Sequence, residues 1–130
     1  MDTGLDFWVG VWDVRWDGGA GTNTITKEVG GGVVVERFES PDLLGLSVSV
    51  HDGEQWRQAW VDSNDAYLDF SGGWTGDAFV LEHTRNDERF RMRFTEIADD
   101  SLVWLWERRS GGAWELRWRI DYARRSRGSR

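Results

Sequence analysis

Between residues 89 and 94 the chain alternates Arg89, Arg91 and Arg93 with Phe90, Met92 and Phe94. A strict two-residue period puts each set on its own face of a β-strand, because successive side chains point to opposite sides. The same period returns along the chain. Trp12, Val14 and Trp16 alternate with Asp13 and Arg15; Trp56, Gln58 and Trp60 share a face, and so do Leu102, Trp104 and Trp106. In the last run Trp114, Leu116, Trp118, Ile120 and Tyr122 alternate with Glu115, Arg117, Arg119 and Asp121. Helical periodicity is sustained nowhere, and one turn near residues 3–8 is the most the pattern allows.

Turn signals break this pattern about every 10–13 residues, the rhythm of an all-β meander. The strands predicted between them cover 8–16, 21–29, 32–39, 45–51, 55–62, 66–71, 77–84, a run around 89–94, 101–109, and a last run ending at Tyr122. Asp17-Gly18-Gly19, Gly30-Gly31-Gly32, Ser40-Pro41-Asp42 and Asp52-Gly53 separate the first five, the last of these being a strong hairpin signal. Gly72-Gly73 with Gly76-Asp77 ends the sixth. One inward face per strand suits a sandwich as well as a barrel. The apolar stretch from Leu5 to Val9 favours the barrel, whose open end needs a plug, and closure also removes exposed strand edges. The expected fold is therefore all-β: a single antiparallel up-and-down barrel of about ten strands over residues 1–122, plugged at one end by a short N-terminal turn. Residues 123–130 read as a basic, disordered tail.

Composition narrows the function. Ten of the 130 residues are Trp. Each buries roughly 150–250 Å², so they either fill a core or line a cavity. With no cysteine, disulfides and thiolate metal clusters are excluded. The net charge is −7, and the tail holds four of the 16 basic residues, leaving 12 against 23 acidic ones in the body, or −11. An acidic body does not track phosphates, and the arginines of residues 89–93 face away from their aromatic neighbours, so no nucleic-acid partner is expected. No signal peptide and no membrane span is visible, which points to the cytoplasm.

Gly10-Val11-Trp12, after a short apolar turn, resembles the Gly-x-Trp opening of the calycins, which include lipocalins and fatty-acid-binding proteins. Further elements are Gly21-x-Asn23, Gly32 through Val35-Glu36-x-Phe38, Gly45-x-Ser47, Trp56-x-Gln58-x-Trp60-Val61-Asp62, and a final Trp114-x-Leu116-x-Trp118. Together they resemble a group of small uncharacterised bacterial lipocalin-like proteins, distantly similar to the nitrobindins, over most of residues 5–124. The resemblance implies a ligand cavity and Gly10 and Trp12 as a structural signature. It also implies a basic residue from the last strand over Trp12, for which Arg117, Arg119 and Arg124 qualify. Nitrobindin-like haem binding would imply a late-strand axial His. No His follows His83, so no haem and no other cofactor is expected.

Glu36 is the most informative polar residue, since it shares a face with the inward-reading Val34 and Phe38. A buried carboxylate must be paired, hydrogen-bonded or held neutral, which suits a ligand anchor, a general acid–base or a structural partner. The expected function is binding of a small apolar or aromatic molecule. Phe38, Trp56, Trp60, Trp104 and Trp106 form the walls, and Asn23, Glu36 and Gln58 fix its orientation. The alternative is a small-molecule enzyme (cyclase, isomerase or hydrolase) with Glu36 or His83 as acid–base. A third reading is an interaction module, monomeric or homodimeric, that exposes Val33 and Val35 outward. Neither a His pair at zinc spacing nor a complete calcium loop is present, so no metal is expected.

Overall fold

The alternating segments form ten strands that hydrogen-bond in chain order and close on themselves. In the computed structural model, which describes residues 4–125, they are β1 (Gly10–Trp16), β2 (Gly19–Glu28), β3 (Val33–Glu39), β4 (Leu44–His51), β5 (Trp56–Asp62), β6 (Tyr67–Thr75), β7 (Ala78–Arg85), β8 (Glu88–Thr95), β9 (Ser101–Ser110) and β10 (Ala113–Arg124). Every neighbouring pair is antiparallel, and β1 closes the ring on β10 with Trp12 opposite Arg124 and Val14 opposite Tyr122. This up-and-down closed barrel is the expected fold class, and it is consistent with the calycin architecture. Among the described residues no helix is long and apolar enough to cross a membrane.

Three details differ from the sequence pattern. β6 does not stop at Gly72-Gly73 but runs through both to Thr75, leaving Gly76-Asp77 as the turn. A Cβ at Gly72 (φ +155°) would strike the Val80 carbonyl, so this glycine serves close strand approach, not reversal. β10 carries a bulge between Leu116 and Trp118, which oppose the adjacent residues Glu107 and Trp106 of β9. Two residues facing one shift the phase of the strand. Trp118, Ile120 and Tyr122 therefore face inward, while Trp114 and Leu116 lie outside although the sequence alternation never breaks. Outside, the Trp114 ring stacks beneath the guanidinium of Arg91 at 4.1 Å, with Arg89 and Arg109 at 5.6 and 5.5 Å.

The third difference lies on the outer wall. Val35 faces outward but is only 7 % exposed, because it sits between Thr26 and Val48 in the sheet. The exposed apolar side chains that cluster are instead Leu44, Leu46, Val48 and Val50 on β4, with Val61 and Tyr67 beside them.

One end of the barrel is sealed. A single 3-10 turn, Asp6–Trp8, drops Leu5 and Trp8 into the core, where both are at most 2 % exposed. Phe7 meets Trp74 and Phe94 edge-on at 5.3 and 5.7 Å. Trp12 donates its indole N–H to the Trp8 carbonyl (2.8 Å) and lies under the Arg124 guanidinium at 4.2 Å. Of the three arginines the resemblance offered, Arg124 is thus the one that covers Trp12. It also donates to the carbonyls of Val9 (2.6 Å), Phe7 (3.1 Å) and Asp99 (2.8 Å). Gly10 is required beside it. Its φ is +140°, and a Cβ there would run into that guanidinium. Arg124 and Arg125 therefore belong to the barrel, the latter paired with Asp13 at 2.6 Å. The rest of the basic tail lies outside the described residues.

Candidate functional site

The end opposite the plug is open. The strands that pack Trp8, Phe79 and Phe94 tightly below bring a second set of aromatics to the upper rim, half-buried except for Phe38, which is buried. Phe38 (β3) meets Trp60 (β5) edge-on at 6.4 Å. Trp104 and Trp106 (β9) lie nearly parallel at 6.3 Å, and Phe90 (β8) stacks on Trp106 at 5.4 Å. Trp118 (β10) closes the circuit against Trp104 at 5.6 Å and Trp16 at 5.5 Å. Below this collar lies a cavity of about 240 Å³. Phe70, Met92 and Ile120 line its middle, Trp8 and Phe94 its floor, and Leu43, Leu68 and Asp62 its mouth.

One wall is polar. Glu36, Gln58 and Tyr122 reach the cavity from β3, β5 and β10. Glu36 accepts from Ser47 Oγ (2.6 Å) on one carboxyl oxygen and from Asn23 Nδ2 (2.8 Å) on the other. Asn23 also donates to the Tyr122 hydroxyl at 2.8 Å, and its own carbonyl oxygen is buried without a partner. Gln58 donates to Ser49 Oγ at 3.0 Å. Register explains the cluster: Glu36 lies opposite Ser47 across β3–β4, and Asn23 lies opposite Trp12 across β1–β2, one inward step from Glu36's own partner, Ile25.

Burial pushes the Glu36 carboxyl above its ordinary value, and the hydrogen bonds from Ser47 and Asn23 recover only part of that cost. Burial and the nearby Glu36 charge raise Tyr122 as well, which keeps it a neutral phenol. The buried Glu107 on the outer wall behaves oppositely. Its burial would raise it, but Arg93 and Arg91 bond to it at 3.0 and 2.6 Å and hold it below the usual range.

Of the residues singled out in the sequence, Glu36, Phe38, Gln58, Trp60, Trp104 and Trp106 meet in this cavity. Asn23 stands behind Glu36 as its hydrogen-bond donor. Trp56 does not join them. It shares the inward face of β5 but sits four residues below Trp60, roughly 13 Å at strand rise, where it packs on Phe79 at 6.2 Å and His51 at 5.6 Å. His83 lies in a neighbouring cleft with Arg85, Glu88 and Phe90 that shares Leu68 and Trp106 with the cavity, and its ring sits 5.5 Å from that of Phe70, which lines the cavity. There its Nδ1 bonds the Asp69 carbonyl at 2.8 Å, which makes Nδ1 the donor, and Nε2 is buried without a partner. Tyr122, Trp118 and Asp62 were missed as site residues. The first two share the inward phase of β10, a signal the bulge makes unreadable.

The fold and site define a closed ten-stranded barrel with an aromatic interior, a geometry compatible with holding a small molecule. No protein-family model matches the chain, and no curated protein matches it either.

Proposed function

We propose that this barrel binds a small apolar or aromatic molecule, entering through the aromatic collar and ending against Glu36, Gln58 and Tyr122. The observation that carries this is the pairing of a mostly aromatic wall with one convergent polar face in a single cavity. A volume of about 240 Å³ falls below the ~300 Å³ where drug-sized pockets begin, so one or two rings is the expected size. Native mass spectrometry of protein purified without denaturation, set against its denatured mass, tests the idea. A retained molecule supports it. A clean apo mass, together with no tryptophan quenching by a panel of one- and two-ring compounds, would overturn it.

A second reading has its own support. Glu36 faces the cavity with its proton affinity raised, the state wanted of a general acid. In that case Glu36→Gln keeps affinity for the ligand and loses its turnover.

A further inference from the structure

The two buried carboxyl groups of the described residues are treated differently. Glu107 is clasped by two arginines, whereas Glu36 has only the neutral donors Asn23 and Ser47. Among the described residues, the cavity lining carries a second acid, Asp62 at the mouth, and no Lys, Arg or His. Asp62 is likewise bonded by neutral groups, the Trp60 indole (2.8 Å) and the backbone N–H of Asn64 (2.8 Å). Two arginines lie at the neighbouring cleft instead: Arg85 lines it, and Arg108 reaches Glu88 on its rim at 2.8 Å. The rest of the lining is mostly aromatic rings, with Leu43, Leu68, Met92 and Ile120 between them, and the negative π-face of such a ring attracts cations.

Resting on the cavity-binding reading above, we infer that the ligand is a lipophilic amine, bound as its ammonium with the charge against Glu36 and the apolar body among Trp60, Trp104 and Trp106. An ammonium supplies the counter-charge that a buried carboxyl without an ion partner lacks, and the surrounding rings accept its remaining N–H or alkyl surface. A carboxylate ligand meets two acids and no cation inside the cavity, so the barrel selects against fatty-acid-type anions. The neutral donors on its polar wall, the Tyr122 hydroxyl and the Gln58 amide, orient a ligand without compensating a negative charge.

The test is a matched series: 1-naphthylmethylamine, 1-naphthalenemethanol and 1-naphthoate, titrated into the protein at neutral pH by calorimetry. The amine is expected to bind at least tenfold tighter than the alcohol, and the naphthoate at least tenfold weaker. In Glu36→Gln the amine's advantage over the alcohol falls about tenfold. Asp62→Asn at the mouth serves as the second variant and lowers the amine's advantage less. An alcohol that binds as tightly as the amine, or a naphthoate that binds best, overturns the amine assignment and leaves the cavity reading standing. An amine preference that survives in both variants also overturns it. Failure of all three compounds to bind removes the cavity reading and this inference with it.

Discussion

Glu36 concentrates the chemistry of this molecule at a single position, and its energetics can be isolated. Its folded value lies above the 4.5 of a free side chain. Below that ordinary value both folded and unfolded chains hold the proton, and burial adds no charge penalty. As pH rises, the unfolded chain ionises first, so stability falls until the folded value is passed. Glu36→Gln removes this dependence. The variant is expected to gain on the parent as pH rises from 4.5 until the folded value is passed, by ~1.4 kcal/mol for each pH unit that separates the two values. Urea melts of both proteins across the range measure the difference. A difference that stays flat, or that shrinks with pH, would mean Glu36 is ionised and well compensated. The residue was legible in the sequence because Val34 and Phe38 fix its phase. Its partner Ser47 was less so, because it comes from a strand whose register no local pattern dictates.

At the level of elements, alternation identified all ten strands but not their depth or their irregularities. Trp56 and Trp60 share a face, yet one belongs to the sealed end and the other to the mouth, since period two says nothing about height along the barrel axis. Trp114 and Trp118 share a period, yet the bulge puts them on opposite sides of the wall. The N-terminal plug was readable because a short apolar turn before Gly10-x-Trp12 has no other use. What holds it is Arg124, the last residue of β10, which ties the 3-10 turn, β1 and the β8–β9 loop through three carbonyls and the Trp12 ring. Arg124→Ala loses charged hydrogen bonds and a desolvated cation–π contact together, and is expected to cost about 2–4 kcal/mol. Arg124→Lys keeps the charge but not the fork, and should fall between. Thermal melts of the two variants check this order; a Lys variant as stable as the parent would reduce the contact to a point charge.

The whole molecule divides its aromatic residues by end. Trp8, Trp12, Phe79 and Phe94 are at most 1 % exposed and pack the sealed end, which carries stability. Trp60, Trp104, Trp106 and Trp118 are half-buried around the mouth, where unfilled space costs packing energy that a purely structural barrel would have recovered. Filling that space should therefore separate stability from function. Leu68 is suited to this, because it is half-buried, lies opposite Trp60 across β5–β6 and lines the cavity at its mouth. Leu68→Trp is expected to hold or raise the melting temperature by a few degrees, about 1 kcal/mol in a domain of this size, and to weaken binding of a two-ring probe at least tenfold. Melting curves and probe titration on the same sample read both quantities. If the substitution stabilises the fold yet leaves affinity unchanged, the ligand does not pass through the aromatic collar, and binding must be sought on the exposed β4 face, where Leu46, Val48 and Val50 already meet solvent.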